Sequence, residues 1–407
     1  MADTYDLVIL GGGCAGLSLA MALAAEGERC PRTLIIESRA EYTNDRTWCY
    51  WKDASSGEPY STRHSWQTMQ VTHAGQSVSL DCGATPYQMV EAQDFYAAAQ
   101  TLIDQQPNIA LRLGASVIGE PSFIGSGNDV WRIRTNAGSV TARSIVDTRA
   151  PQQPRLDGAT LWQSFYGREI ECSVAVFNPL SLDLMNFLPP NTRDVPFVYV
   201  LPITPTRALI EVTIFGAMPL KPEALCARLD AAIAERVGSA PFKTLRSEHG
   251  ILPMGLSQKS TGRSATNLHK KPEPIHKSYV RVGVMAGGAR PSTGYAFQRI
   301  QRWADNCARA LVSNGHPLGH QPDPLPLRLM DQIFLDVLRA NPSRGGAIFF
   351  SLFSRADPAR VIRFLSGDAG LIDSLAVIAA MPVLPFVKAA LAMTRRGVRI
   401  SEVQNAV

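Results

Sequence analysis

The chain predicts an α/β fold: a doubly wound, Rossmann-like unit, an antiparallel-sheet unit following it, and a helical C-terminal region. Three observations carry this. The apolar run 7–10 leads into Gly11-Gly12-Gly13-Cys14-Ala15-Gly16 and then an Ala/Leu-rich helical stretch. Between about 151 and 255 the pattern changes to long strand-like runs, such as 197–203 and 208–215. Far downstream, a second Gly-rich turn over 284–297 opens another amphipathic helix. Of the 407 residues, 1–150 and 279–330 are assigned to the first unit, 151–278 to the antiparallel sheet and 331–407 to the helical region.

In the first unit, Gly11, Gly13 and Gly16 fit G-x-G-x-x-G at a strand-to-helix junction. Glycine there permits a tight turn and close backbone approach, and the helix N-terminus offers unpaired N–H groups to a pyrophosphate. The apolar run 33–36 gives a second strand, and Glu37 follows it directly. That is the place, about 20 residues past the glycines, where an acid accepts ribose hydroxyls. Helical spacing over 91–105 aligns Phe95, Ala98 and Leu102, and strands are expected at 110–117, 130–135 and 139–146. Asp147 ends the last of these and either borders the nucleotide or caps a turn. An N-terminal glycine turn, a ribose-binding Glu and a later Gly-rich turn are together the arrangement expected of resident FAD.

In the second unit, strands are expected at 173–177, 197–203 and 208–215, with a helix over 220–237 on the rim of their sheet. The stretch 257–278 is polar, basic and Pro-containing, and reads as a solvated loop. A strand near 280 and a helix over 296–313 return the chain to the first unit. The stretch 371–393 is apolar and long enough to suggest a membrane span, but Asp373, Pro382, Pro385 and Lys388 interrupt it. Two readings fit better: a buried helix pair, or an interfacial segment with Lys388, Arg395, Arg396 and Arg399 toward anionic headgroups.

The net charge of +5 is mildly basic and no dense Lys/Arg run is interleaved with aromatics, which disfavours nucleic acid. Charged residues make up only 18% of the chain, leaving apolar surface suited to a greasy ligand or a membrane. The seven cysteines are scattered, without a C-x-x-C pair, and the seven histidines lack metal spacing. The expectation is a reduced intracellular protein with no structural metal. Residues 1–6 carry no basic region, so no secretory leader is expected.

Alternation along 208–215 puts Leu209, Glu211, Thr213 and Phe215 on one face and Ala208, Ile210, Val212 and Ile214 on the other. Both faces are largely apolar, so the strand is expected to be buried on both sides. A carboxyl group among such neighbours retains its proton toward neutral pH and can give it to a weakly basic substrate. The plain alternative for Glu211 is an interstrand ion pair. In the run 44–51, Arg46 is placed to meet pyrophosphate or flavin. Trp48, Tyr50 and Trp51 either line an apolar cavity, where aromatic faces stabilise carbocations, or pack in the core.

The N-terminal glycine motif, D-R-T-W-C-Y-W (45–51), W-Q-S-F-Y-G (162–167), F-V-Y-V-L-P-I-T-P-T-R-A-L-I-E (197–211), E-H-G-I-L-P (248–253) and G-G-A-R-P-S-T-G-Y-A-F (287–297) stand in one order along the chain. This set resembles the bacterial flavin-dependent lycopene cyclases. The resemblance implies a p-hydroxybenzoate-hydroxylase-like flavoprotein fold. It also implies cyclisation of the acyclic ψ-ends of lycopene to β-ionone rings, giving γ-carotene and β-carotene, without net redox change. It further implies reduced FAD as cofactor, NAD(P)H as reductant and a cytoplasmic enzyme held peripherally on the inner face of the cell membrane. Glu211 matches the family's catalytic glutamate, and Gly287, Gly288, Pro291, Thr293 and Gly294 match the segment that passes the flavin ring. Phe165, Tyr199 and Tyr295 join Trp48 and Tyr50 as expected pocket walls.

Three positions depart from the family pattern. Val212 stands where an Asp commonly follows the glutamate, Asn186 interrupts L-M-D-F, and Asn178 replaces another frequent Asp. An amide is no proton acceptor at neutral pH. The expectation is a slower reaction, loss of a different proton, or another isoprenoid polyene as substrate. A flavin monooxygenase or dehydrogenase acting on an apolar substrate is the competing class.

Overall fold

The computed structural model describes residues 4–53, 57–125, 129–150, 158–256 and 276–391. β1 (Thr4–Leu10) runs into α1 (Cys14–Ala24) and back through β2 (Thr33–Ile36). Next come β3 (Thr47–Trp51), β4 (His64–Trp66), β5 (Thr68–His73), β6 (Gln76–Asp81) and β7 (Tyr87–Glu91). They are followed by α2 (Ala92–Asp104), β8 (Ile109–Arg112), β9 (Ser122–Ile124), β10 (Val130–Thr135) and β11 (Gly138–Asp147). The middle of the chain forms β12 (Leu161–Cys172), β13 (Ser181–Phe187), β14 (Asp194–Thr204), β15 (Arg207–Gly216), α3 (Cys226–Val237) and β16 (Phe242–Met254). After β17 (Tyr279–Arg281) come α4 (Phe297–Asn314), α5 (Leu325–Ala340), α6 (Gly345–Arg355), α7 (Pro358–Ser366), α8 (Leu371–Ala380) and α9 (Val383–Leu391).

The first sheet has the order β8-β2-β1-β11-β10-β9, with β17 also on β11. Its β8, β2, β1, β11 and β17 are parallel, and α1, α2 and α4 cover one face through Leu17, Phe95, Ile300 and Trp303. Leu7 to Leu10 are wholly buried, as a parallel strand covered on both faces requires. The expected strand 110–117 is shorter than its apolar pattern. Gly114 turns the chain at φ +68°, and Val117 makes only an isolated bridge to Thr135.

The second sheet has the order β16-β12-β15-β14-β13-β5-β6 and is antiparallel except for β13 on β5. Two of its strands, β5 and β6, come from residues 68–81, within the stretch assigned to the first unit. The sheet is therefore contributed from both sides of position 150. The expected strand 173–177 is a turn instead. Ser173 donates to the Pro241 carbonyl, and Val176 and Phe177 both donate to the Pro205 carbonyl, where the chain leaves the end of β12. The twelve residues before it, β12, are the strand, paired along their length with β15 and β16.

The two faces of this sheet are closed differently. Leu225, which precedes α3, and Leu229, Ile233 and Val237 within it cover Val198, Val200, Ile210, Val212 and Ile214. The opposite face meets α5, α6 and the small sheet β3-β7-β4, through Phe197, Leu201, Leu209 and Phe215. The apolar run at the C-terminus folds as α8 and α9, bent by 111° around Pro382. Among the described residues, no single helix is long and apolar enough to cross a membrane. The buried-pair reading of this run is corrected, because Leu371 is 74% and Leu384 66% exposed and only residues such as Val377 turn inward. Arg395, Arg396 and Arg399 lie outside the described residues, as does 257–275.

Candidate active site

The first glycine turn is built by close approach. Gly11 holds φ +98°, and a Cβ there would stand 2.6 Å from Thr148 Oγ1. A Cβ on Gly16 would lie 2.0 Å from the Gly11 carbonyl oxygen, so only glycine lets α1 start this close to the turn. Gly13 caps α1 without a side-chain hydrogen bond, with no acid in the first turn and open space beside it. A helix start left uncapped in this way is a ready anion site.

Glu37 is buried at the end of β2. It accepts from Gly12 N at 2.6 Å and from Arg39 N at 2.8 Å. Burial works against its carboxylate, but the Arg39 and Gly12 hydrogen bonds outweigh it and hold the group below its usual range. Arg46 is 52% exposed, and its charge reaches Cys14 at the start of α1. Asn44 Oδ1, two residues earlier, is buried without a partner. Asp147 caps the turn after β11. Its Oδ1 accepts from Arg149 N at 3.1 Å, and its Oδ2 accepts from Tyr279 Oη at 2.7 Å and Arg149 Nη2 at 2.8 Å. The residue that braces the turn is Thr148, whose hydroxyl reaches the Leu10 and Gly11 carbonyls at 3.0 Å. No motif spacing marked it.

The second turn abuts the first, with Gly283 beside Ala15 and the Thr148 carbonyl. Gly287 (φ +92°) faces open space, and a Cβ on Gly288 would stand 2.8 Å from His320 Nε2. His320 accepts from Gly283 N at 2.9 Å; burial, aided by Arg299, pushes its imidazole down to about 4, so it stays a neutral acceptor. Pro291 and Thr293 lie in a loop closed by Arg290 N to the Tyr295 carbonyl and Gly294 N to the Arg290 carbonyl, both at 2.9 Å. Gly294 packs against Gln163, whose buried Oε1 has no hydrogen-bond partner. Buried Arg290 ties this loop to the Phe364 carbonyl and, at 3.3 Å, to Asp331. The uncapped helix, the open glycines and the orphaned oxygens together fit a dinucleotide flavin lying along both turns.

Glu211 sits mid-strand in β15, on the face away from α3. Across the sheet it lies opposite Gly167 on one side and Tyr199 on the other, and Gly167 in turn lies opposite Glu248. Burial pushes the Glu211 carboxyl up to about 8; Glu248 adds to this and a 2.6 Å hydrogen bond from Thr213 opposes it. The residue keeps some accessible surface despite its depth. Tyr199 bonds Tyr87, whose hydroxyl is also 3.5 Å from that of Tyr295. Trp51 packs on Tyr87 and Tyr295 with ring centroids 4.6 and 5.2 Å apart. The result is a protonatable carboxyl among aromatic faces.

The family model described as lycopene cyclase protein matches residues 6–391. The chain belongs to the lycopene cyclase family. It is 25% identical to the lycopene beta-cyclase of Pantoea ananas over 96% of this chain and 98% of that one. It is 26% identical to the lycopene beta-cyclase of a Paracoccus strain over 94% and 95%. Solved structures share the fold. A geranylgeranyl bacteriochlorophyll reductase-like protein from Thermoplasma acidophilum aligns at TM-score 0.56 and 15% identity over 95% of this chain and 96% of that one. A flavin-dependent brominase aligns at 0.57 and 14% over 97% and 100%. The architecture is thus the p-hydroxybenzoate-hydroxylase-like flavoprotein fold, and the protein is an enzyme of the lycopene cyclase kind.

In this member of the family, the expected pocket walls divide. Phe165, lying over Gly250, and Tyr199 share the Glu211 face, and Tyr295 reaches the same tyrosine cluster. Trp48 and Tyr50 turn the other way. They stack on Phe297 at 5.2 and 5.1 Å in the core of the first sheet, although Tyr50 also borders a small cavity with Cys49, Trp51 and Tyr295. Alternation along β3 sends Thr47, Cys49 and Trp51 toward Glu211 instead.

The departures from the family pattern are also sorted by face. Val212 is wholly buried under α3, and Asn186 pairs with Val198 of that same back face. Asn178 is exposed in the turn after β12, where its Oδ1 accepts from Leu180 N. None of the three side chains is on the Glu211 face.

Proposed function

We propose that this enzyme cyclises the ψ-ends of lycopene to β-ionone rings, with Glu211 as the acid that begins the reaction. The observation that carries the reading is a carboxyl group raised to about 8 on an aromatic-walled face. Such a group is mostly protonated at neutral pH and can deliver the proton to a terminal alkene. The resulting tertiary cation is captured by the neighbouring double bond. A ring proton is then lost to the carboxylate that Glu211 has become, which restores the acid and leaves substrate and product as isomers. The faces of Trp51, Phe165 and Tyr199 stabilise the positive charge as it moves.

Gly11, Gly13, Gly16 and the start of α1 would hold the FAD pyrophosphate, with Glu37 toward the ribose, Arg46 toward phosphate, and 287–294 along the ring. When bound and reduced, with NAD(P)H as the proposed electron source, the flavin supplies negative charge close to the developing cation. The outward apolar side chains of α8 and α9, with Lys388 exposed beside them, suit a peripheral position on the cytoplasmic face of the membrane, where an apolar polyene is dissolved. A Leu375→Asp, Leu384→Asp double variant should lose flotation with anionic vesicles while keeping its flavin.

Expression in a lycopene-accumulating host tests the reaction: pigments with β-rings are expected on chromatography. Unchanged lycopene beside well-expressed, flavin-loaded protein would overturn the reading.

A further inference from the structure

Glu248 belongs to E-H-G-I-L-P, a segment that the resemblance included without giving it a task. In the fold it is buried one strand beyond Gly167. Its Oε2 accepts from Arg246 Nη1 at 2.6 Å and from Thr47 Oγ1 at 2.7 Å, so it is anchored from both its own strand and β3. Arg246 is itself held by Glu169, 2.6 Å away, which also pairs with Arg207. This network fixes one carboxylate in the same row as Glu211, two strand spacings away, roughly 10 Å between backbones.

Gly167 stands between the two acids. A Cβ on it would lie 3.2 Å from Glu211 Cβ and 3.4 Å from Glu211 Cγ, so the Glu211 side chain lies directly over the glycine. No side chain on β12 separates the two carboxyl groups. The other groups facing Glu211 are Thr213 on its own strand, Tyr199 on β14, Cys49 and Thr47 on β3, and the Tyr87 and Tyr295 hydroxyls beyond Tyr199. Arg246 is the cation of this group, and its near nitrogens are engaged by Glu169, Glu248 and Thr47.

We propose that Glu248 is a positioning residue that keeps the proton on Glu211, acting across the gap left by Gly167. It does so as a fixed like charge, because ionising Glu211 would bring a second anion into a site with low polarisability. The burial of Glu211 and the charge of Glu248 push in the same direction. This inference rests on Glu211 being the acid of the reaction.

The test is E248Q in the full-length flavin-loaded enzyme, since the amide oxygen can still accept from Thr47 and Arg246. Two readouts are taken against pH: cyclisation rate, and the infrared carbonyl band of the protonated Glu211, assigned by its loss in E211Q. Both midpoints should move down by about one pH unit, while E248D stays near wild type. Gly167→Ala, which pushes Glu211 away from Glu248, should shift them the same way by less and serves as the second variant. Midpoints unchanged in folded E248Q would overturn the proposal. If the infrared band shifts but no variant or wild-type protein cyclises the polyene, the coupling stands and the cyclase reading fails.

Discussion

β15 offers a controlled comparison, because its two faces share one backbone and one sequence yet are closed by different partners. The α3 face holds Ala208, Ile210, Val212 and Ile214, all within 1% of complete burial, with no ionisable group among them. The other face holds Leu209, Glu211, Thr213 and Phe215, and it meets aromatic rings and a network of charged side chains that includes Glu169 of β12 and Arg246 and Glu248 of β16. The first is an ordinary core, where apolar burial dominates the free energy. The second keeps a carboxyl group in an unfavourable setting, which only the stability of the first makes tolerable. If Glu211 is the proposed acid, reactivity and stability are separated by a single residue of strand offset.

The largest effect that would break this comparison is on the reactive face. Glu211→Gln should lower the cyclisation rate by about 10²–10⁴-fold, measured as pigment formed per flavin-loaded enzyme. The same variant should be more stable at neutral pH. The folded carboxyl titrates near 8, above its ordinary 4.5, so its favourable contribution is complete only below the ordinary value and is lost as pH rises toward 8. Thermal or denaturant unfolding should therefore show a gain of about 3 kcal/mol near pH 7 that vanishes near pH 4. Ile210→Ala should show the reverse pattern. Truncating this wholly buried side chain should cost about 2–4 kcal/mol, yet leave the rate per folded molecule within a few-fold. A smaller effect sharpens the assignment of the proton: wild-type activity should fall on the alkaline side of pH 8, and that limb should be absent from the residual activity of Glu211→Gln. The smallest is Asn186→Asp, which restores the family's usual acid on the α3 face. A rate change beyond about twofold would mean that the back face takes part in the chemistry after all.

Much of this was legible in the chain. The strand-glycine-helix opening, the placement of Glu37 after β2, and the two-sided burial of 208–215 all follow from local pattern, and local pattern is what a sequence displays. What it concealed were partners distant in sequence. Thr47 meets Glu248 across 201 positions, and Tyr87 meets Tyr295 across 208, so neither pairing leaves a periodic trace. The 68–81 hairpin reads as strands in isolation, but nothing in its residues says which sheet it completes. Trp48 and Tyr50 show a different limit. Alternation over T-W-C-Y-W separates them from Trp51, and treating the three aromatics as one group hid a face assignment that the period of two already contained.

Arg290 couples the second glycine turn to the C-terminal helices. Its guanidinium is wholly buried beneath the loop at 287–294, bonded to the Phe364 carbonyl at the end of α7 and to Asp331 on α5, with the Phe364 ring 4.1 Å from its centre. Moving either helix away breaks a hydrogen bond to this cation, so the loop and the two helices are energetically linked. The cofactor-side loop and the C-terminal helices thus form a single opening unit, and amide hydrogens at 284–297 and in α5 and α7 should exchange with one shared free energy.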